Sequence, residues 1–308
     1  MRASKVNINF IQKMVIKKFI QIILFAFLPN LILSQVSLNA SLSKAVNIQV
    51  NGQIIGSGFY YMSDSFFFLV TAAHVIYETD TLIGKASDKL SFDSIDIVSY
   101  DKIQSIDRSS FLSAKLIKNT SVWKHDKKDI CVVLLGKLMN FNDSENVSIN
   151  TYTYVTIKRK AAKLNGFLNV KSLHMDKLTQ GSEVRILGYP TSLNDSKRIG
   201  EKIYEFEFPL LQTGIISGIS NKIGNIIISG AVFYGNSGGA VLSKSEDVHF
   251  DKKGNMLFID NYYLIGVVSE LIPFGLRSKA KDKYYYSNSG YSVVIPIQYA
   301  DEIIKRIK

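Results

Sequence analysis

Cysteine and proline are both scarce in this 308-residue chain, which has one cysteine and five prolines. Because Cys131 is the only cysteine, no intrachain disulfide and no cysteine-based metal site can form. There is no unbroken apolar run of about 18 residues, no heptad repeat and no Gly-X-Y period, which excludes polytopic membrane proteins and fibres. The hydrophobic fraction of 46% is nevertheless ample for a packed core, and Cys131, inside the apolar run 130–135, is predicted to be a small core residue.

Acidic residues are fewer than basic ones, 26 against 37, and the formal net charge is +11. The first 34 residues contain five basic residues and no acidic one, which leaves 32 basic residues against 26 acidic ones in the rest. Those remaining basic residues are scattered among acidic ones and form no stripe interleaved with aromatic residues. We therefore predict no nucleic-acid partner, since such proteins concentrate their positive charge in a patch.

The segment 1–34 has the composition of a secretory signal peptide. Lys17 and Lys18 precede an apolar stretch at 19–33, and a small serine follows it. A basic start, a short apolar centre and a small residue at the exit are typical of such a peptide. We predict cleavage there, a periplasmic or secreted mature protein, and no membrane contact after cleavage; a retained amino-terminal anchor is the alternative. Within this segment, Met14 is a second candidate for the start of translation, in which case residues 1–13 would not be translated.

The rest of the chain is predicted to be all-β. After residue 40, short β-branched and aromatic runs alternate with Gly, Asn, Asp and Ser, which favours a barrel or a sandwich. We expect a first β lobe at 36–140, a connection at 141–170 and a second β lobe at 171–308. The second lobe ends in a helix, because apolar residues recur every three or four positions at Ile297, Ala300, Ile303, Ile304 and Ile307.

Three local patterns contain candidate catalytic residues. In the first, the strand-like run 66–72 is rich in large apolar residues and ends within the segment Thr71-Ala72-Ala73-His74, in which the histidine comes just after the end of the strand. In the second, Asp129 precedes the apolar run 130–135, where a buried carboxylate needs a partner such as a histidine. Asp126 competes for the same role but lies among lysines.

The third pattern is Gly235-Asn236-Ser237-Gly238-Gly239, a serine among glycines before a strand. Glycines let successive backbone N–H groups face one concavity, which suits an oxyanion. The same residues match the nucleophile turn of α/β-hydrolases, but that fold needs serine, then acid, then histidine. Here the order is His74, Asp129, Ser237, as in chymotrypsin-type triads.

With these motifs the sequence resembles the trypsin-like serine peptidases, from about Ala45 to the end of the chain. It is most similar to the disulfide-free bacterial branch that includes HtrA-type and glutamyl endopeptidases, without a carboxy-terminal PDZ domain. The resemblance rests on the three patterns above and on three further segments, Gly56-Ser57-Gly58-Phe59, Gly188-Tyr189-Pro190 and Gly266-Val267-Val268-Ser269. The usual proline after the paired glycines is replaced by Ala240.

The resemblance implies two six-stranded antiparallel β-barrels with a carboxy-terminal helix and a site between them. It also implies a serine endopeptidase acting on polypeptides without metal or cofactor. His74 would be the base, Asp129 its orienting acid and Ser237 the nucleophile, with the N–H groups of Gly235 and Ser237 as the oxyanion hole. A catalytically silent binding module of the same fold, or an esterase, is the alternative.

The resemblance also suggests a substrate pocket and a mode of activation. Ala231 would form the floor of the primary pocket, and Ser269, Leu271 and Gly290 its walls, which favours small or medium aliphatic side chains at the cleaved position. If the alignment is displaced by one or two residues, Glu270 could instead point inward and favour basic side chains. Asn236 stands where trypsin-like zymogens have an aspartate, so we expect activity without a newly cut amino terminus.

Overall fold

The computed structural model describes most of the chain after residue 41. The described residues are 42, 44–80, 85–100, 111–117, 122–138, 149–150, 155–157, 167–168, 171–192, 204, 208–250, 256–278 and 283–308. The predicted signal peptide at 1–34 lies outside them. Within the described part, no helix is both long enough and apolar enough to cross a membrane.

Two compact units divide the chain. One consists of Ser41–Ser245 together with Tyr262–Lys308, and the other of Met1–Ala40 together with Glu246–Asn261. All the candidate site residues belong to the first of these units.

The first sheet contains ten strands, and it forms from the apolar runs in the first half of the chain. Eight follow one path in the order β10-β9-β3-β2-β1-β6-β7-β11, while β8 pairs with β9 and β12 lies parallel to β2. The strands are β1 Ala45–Val50, β2 Gln53–Ser63, β3 Phe66–Thr71, β6 Ser94–Tyr100, β7 Phe111–Ile117, β8 Val122–Lys124, β9 Cys131–Leu138, β10 Ile149–Asn150, β11 Val155–Ile157 and β12 Phe167–Leu168. A separate two-stranded sheet joins β4 Tyr77–Asp80 to β5 Lys85–Leu90.

The second sheet is a closed six-stranded barrel in the order β13-β14-β15-β18-β17-β16. Closure pairs every strand on both sides, so the barrel has no free edge along its full length. Its strands are β13 Glu183–Gly188, β14 Leu210–Ser220, β15 Asn225–Gly230, β16 Ala240–Phe250, β17 Met256–Ser278 and β18 Lys283–Pro296.

The described residues form two buried apolar clusters. The larger cluster is rich in aromatic residues of β2 and β3, whose side chains are almost fully buried: Phe59, Tyr60, Tyr61, Phe67 and Phe68. The smaller cluster lies in the barrel and consists mostly of β-branched residues, among them Val184, Ile186, Ile216, Ile226 and Ile228. Such residues pack well on a pleated sheet, which explains why these runs form strands.

The carboxy-terminal helix confirms the predicted periodicity. This helix, α2, spans Gln298–Ile307. A single helical turn, α1, lies earlier in the chain at Ala73–Ile76. Ala300, Ile303 and Ile304 are buried, as the spacing predicts. At the amino-terminal end of α2, the Tyr61 hydroxyl donates a 2.6 Å hydrogen bond to Asp301 Oδ1, which ties the helix to the first sheet.

The predicted all-β, chymotrypsin-like fold with a carboxy-terminal helix is confirmed. The first sheet differs in detail from the predicted six-stranded barrel, because its strand path among the described residues is open and carries additional strands. Three of these, β10, β11 and β12, fall in the segment assigned to the connection and pair with β9, β7 and β2. They are two or three residues long, too short for periodicity to reveal them.

Candidate active site

His74 and Asp129 form the centre of the candidate site. β3 ends at Thr71, and the single turn α1 then places His74 beside the loop between β8 and β9, which carries Asp129. His74 Nδ1 lies 2.7 Å from Asp129 Oδ2, and the His74 backbone N–H donates a 2.9 Å hydrogen bond to Asp129 Oδ1. Both carboxylate oxygens therefore hold the same residue, so the position and the tilt of the imidazole ring are fixed together.

Ser269 provides a third hydrogen bond to the same carboxylate. Its hydroxyl donates a 2.6 Å hydrogen bond to Asp129 Oδ2. The sequence suggested only that Ser269 lines the substrate pocket, and its contact with Asp129 was missed because the two residues are 140 positions apart. A bulge in the pairing of β17 with β18, between Val268 and Glu270, includes Ser269; bulges commonly re-aim a side chain in this way.

The electrostatics of the pair favour an ionised aspartate beside a basic histidine. Burial by itself would lower the pKa of His74, but the hydrogen bond and the charge of Asp129, with the charge of Glu270, raise it above the ordinary value. Burial would raise the pKa of Asp129, yet the hydrogen bonds and the charge of His74 and the Ser269 hydroxyl lower it. Asp129 is thus the anion that stabilises a protonated His74.

Asp126 does not share this position. It is exposed and pairs with Arg306 of α2, with 3.2 Å between Oδ2 and Nη1. Of the two aspartates that the sequence offered, the structure brings Asp129 to the histidine.

Ser237 lies in a tight turn that needs glycine. Gly235 and Gly238 have φ angles of 93° and 87°, which L-residues with a Cβ rarely adopt. A Cβ on Gly238 would collide with the carbonyl oxygen of Ser57 and with Thr71 Oγ1. The turn is also bonded to both sheets, since the Ser57 N–H donates to the Ser237 carbonyl at 2.8 Å and the Gly238 N–H to the Val268 carbonyl at 2.7 Å.

The Ser237 hydroxyl reaches the same group as the His–Asp pair. Its Oγ donates a 3.1 Å hydrogen bond to the carbonyl oxygen of Ser269, the residue whose own hydroxyl binds Asp129. The three predicted triad residues are therefore joined through one residue. Because a hydroxyl has a single proton, it must rotate away from Ser269 before it can bond to His74.

The backbone N–H groups of Gly235 and Ser237 are free to bind an anion. The Tyr234 carbonyl accepts a 2.8 Å bond from the Thr191 N–H, and the Asn236 carbonyl accepts a 2.8 Å bond from the Gly239 N–H. In a planar trans peptide the N–H points opposite to the carbonyl, so the Gly235 and Ser237 N–H groups point away from these partners. Neither donates a hydrogen bond to any residue in the described part of the chain.

Ser57 and Asn236 support this turn, and the sequence did not identify Ser57 in this role. The Ser57 hydroxyl donates a 2.6 Å hydrogen bond to the Gly235 carbonyl and accepts one of 2.8 Å from the Tyr189 N–H. Asn236 is fully buried, and its Nδ2 donates a 2.8 Å hydrogen bond to Gln212 Oε1. Among the described residues its partner is thus an uncharged amide, not an ion-pairing group.

The predicted pocket residues are placed as follows. Ala231 is exposed, Leu271 is half-buried, and Gly290 lies in a turn with a φ of 80°. Asn288 links these segments, because its Nδ2 donates to the Val232 carbonyl at 2.8 Å while its Oδ1 accepts from the Gly290 N–H at 2.8 Å. The aliphatic preference at the cleaved position stays a prediction.

The single cysteine takes no part in the site. Cys131 is free and completely buried, as the sequence predicts, and burial raises the pKa of its thiol well above the ordinary value. A neutral buried thiol is a poor nucleophile. Cys131 is therefore not a candidate for the nucleophile.

Comparison with known families agrees with the geometry. The sequence pattern of the trypsin-like peptidase domain matches residues 56–248, more than half of the chain. The chain belongs to the trypsin-like peptidase family. The matched range contains all three triad candidates of this peptidase domain.

One solved structure with a TM-score of 0.50 shows the same fold as this trypsin-like peptidase domain, and two others are similar to the chain at lower scores. A mutant of human heparin binding protein is matched over 87% of this chain and 92% of its own, with 12% identity and a TM-score of 0.50. A serine endoprotease from Yersinia pestis has 16% identity and a TM-score of 0.42, covering 88% of this chain and 64% of its own. An HtrA-type protease with a decapeptide has 17% identity and a TM-score of 0.43, with coverages of 89% and 66%. No curated protein matches the chain in sequence.

Proposed function

We propose that the protein is an exported serine endopeptidase that hydrolyses peptide bonds with Ser237, His74 and Asp129. The observation that carries this proposal is the geometry around Asp129. Its carboxylate holds both Nδ1 and the backbone N–H of His74, and Ser269 connects it to the serine hydroxyl. A core histidine with a purely structural role would not need this arrangement.

The tautomer of His74 determines the direction of proton transfer. Because Asp129 accepts a hydrogen bond from Nδ1–H, Nε2 carries the lone pair and can accept the Ser237 proton. Ser237 Oγ then forms the bond to the substrate carbonyl carbon, and the π electrons move to the carbonyl oxygen. His74 passes the proton to the leaving amine as the C–N bond breaks, and water later hydrolyses the acyl-enzyme by the same steps.

The Gly235 and Ser237 N–H groups would bind the oxyanion that forms in each step. They point away from the carbonyl groups of their own peptide bonds, so they can donate hydrogen bonds to a negative oxygen without breaking the bonds that those carbonyls accept. Loss of one such donor typically costs about 3 kcal/mol of transition-state stabilisation. The hydrogen bond from Ser57 to the Gly235 carbonyl fixes the turn that presents them.

The proposed export is supported by the segment 1–34, which carries basic residues, an apolar centre and a small exit residue. The mature protein would then act in a periplasm or outside the cell on polypeptide substrates.

A fluorophosphonate probe tests the proposed chemistry, because it labels only an activated serine. We expect labelling of the wild type and none of the variant Ser237→Ala. Denatured casein, incubated with both proteins and analysed by mass spectrometry, should show cleavage sites only with the wild type. A folded wild type that is neither labelled nor active would instead support a silent binding module, and turnover of esters but not of peptides would support an esterase.

A further inference from the structure

An exposed carboxylate directly follows the residue that contacts the proposed catalytic serine. Glu270 is exposed and follows Ser269, whose carbonyl accepts the Ser237 hydroxyl and whose own hydroxyl donates to Asp129. Glu270 is therefore one residue along the chain from a group that contacts both catalytic side chains. Its charge also acts on the imidazole, since it contributes to raising the pKa of His74.

Glu270 has no basic partner among the described residues, a property that it shares with the exposed Asp176, whereas other acidic residues form ion pairs. Glu78 pairs with Lys89 at 2.6 Å, and Asp126 pairs with Arg306 at 3.2 Å. Within the described ranges, Glu270 forms no ion pair and no side-chain hydrogen bond, although the chain has 37 basic residues against 26 acidic ones. Nothing in this environment gives the carboxylate a role in holding the fold.

A bound substrate would pass close to this carboxylate. For attack, the substrate carbonyl carbon must come within about 3–3.5 Å of the serine oxygen, which itself lies 3.1 Å from the Ser269 carbonyl. An extended peptide advances about 3.3 Å per residue, the same step that separates Ser269 from Glu270 along their strand. A residue next to the cleaved one would thus lie near Glu270, within reach of a long side chain.

We propose that Glu270 is a specificity-determining residue that selects a lysine or arginine within three residues of the cleaved bond. The proposal rests on the peptidase function proposed above and names its substrate class. A basic side chain of the substrate would form an ion pair with Glu270, which has no such partner among the described residues. Selection at the cleaved position itself is a separate matter and is assigned to the predicted pocket residues Ala231 and Leu271, which carry no charge.

A positional peptide library tests the proposal. The library places lysine, arginine or uncharged norleucine at each of three positions on either side of the cleaved bond. Each peptide is incubated with the full-length wild type and with the variant Glu270→Gln. At the preferred position we expect kcat/KM about fivefold higher for the basic residue, the effect of one partly exposed ion pair, and a ratio near one in Glu270→Gln. Added salt should reduce the wild-type preference, because it screens exposed charges.

Two further variants make the outcome decisive. Glu78→Gln removes another exposed carboxylate and should keep the wild-type preference, whereas Glu270→Lys should reverse it towards glutamate. A basic preference that survives in Glu270→Gln, or no basic preference at any position, overturns the proposal while leaving the peptidase function intact. If the folded wild type neither cleaves peptides nor reacts with the fluorophosphonate, both proposals fail together.

A role for Glu270 confined to tuning His74 gives a different result. In that case Glu270→Gln would shift the pH dependence of kcat/KM equally for basic and uncharged peptides. The ratio between the two peptides, measured at one pH, would not change, and the specificity role would be overturned.

Discussion

At the residue scale, Asp129 is the most heavily constrained member of the site. It receives hydrogen bonds from the ring and the backbone of His74 and from the Ser269 hydroxyl. Three donors on one carboxylate keep it ionised and prevent it from rotating. A neutral His74 ring therefore carries its proton on Nδ1, which faces this carboxylate.

The contrast between two aspartates gives the first prediction. Asp129→Asn should lower kcat by about four orders of magnitude, because an amide in this position presents the wrong tautomer of His74. Asp126→Asn is the matched control and should leave kcat nearly unchanged, since it removes only a surface ion pair with Arg306. Steady-state kinetics of both purified variants measures this; a large loss in Asp126→Asn would show that the assignment of the acid is wrong.

The pH dependence of activity follows from the raised pKa of His74. The base must be neutral, so kcat/KM should rise with pH through a midpoint above the ordinary histidine value of 6.5, not at it. The hydrogen bond and charge of Asp129 and the charge of Glu270 favour the protonated ring and so move the midpoint upward. Glu270→Gln should move it back down. A wild-type midpoint at or below 6.5 would contradict this electrostatic account.

At the scale of single elements, the turn that contains Ser237 depends on glycine, both for its backbone conformation and for the space that it occupies. Gly238 has a φ of 87°, and a Cβ there would meet the Ser57 carbonyl and Thr71 Oγ1. Both contacts belong to the strands β2 and β3 that flank the turn. The turn could therefore keep its position only if one of these strands moved.

Gly238→Ala should be strongly destabilising and should abolish labelling by the fluorophosphonate. We expect a loss in the free energy of unfolding of roughly 2–4 kcal/mol from backbone strain and overpacking together. Gly52→Ala is the matched control, because Gly52 also has a positive φ, 79°, but nothing lies within 4 Å of its added Cβ. Urea unfolding of both variants provides the comparison, and equal losses would show that strain alone, without the steric clash, limits the turn.

At the scale of the whole molecule, the described structure is organised so that each sheet supplies part of the site. In the ten-stranded sheet, His74 follows β3 and Asp129 precedes β9. In the closed barrel, Ser237 precedes β16. Ser57 connects the two, since its N–H donates a 2.8 Å hydrogen bond to the Ser237 carbonyl. Within the first sheet, Thr71 Oγ1 donates a 2.6 Å hydrogen bond to the Ser57 carbonyl and so helps to hold Ser57 in place.

Activation is expected to need no newly cut amino terminus. Asn236 is buried against the Gln212 amide, so the position before the nucleophile already has an uncharged partner and offers no carboxylate for a terminal ammonium group. Forms of the chain that begin at Gln35 and at Ser41 should therefore have the same kcat/KM within about twofold. Activity restricted to one defined amino terminus would show that the oxyanion hole forms only after processing.

The sequence by itself determined the all-β class, several of the longer strands, the terminal helix and the three triad candidates. Alternating β-branched and aromatic residues, apolar spacing of three and four, and glycines around a serine are local signals that need no tertiary contact to be read. The order of His74, Asp129 and Ser237 along the chain also separated this fold from the α/β-hydrolases. Asp129 could be favoured over Asp126 because only Asp129 directly precedes a buried run.

Only the tertiary structure decided which groups complete the site. The hydroxyl of Ser269 binds Asp129 across 140 positions, and that of Ser57 binds Gly235 across 178 positions, distances over which no local pattern carries information. The irregular pairing at Glu270, where a bulge separates it from Val268 in the register of β17 with β18, likewise has no local signal in the sequence. Strand register and bulges arise from packing between distant segments, and a one-residue shift in register reverses the face that a side chain occupies.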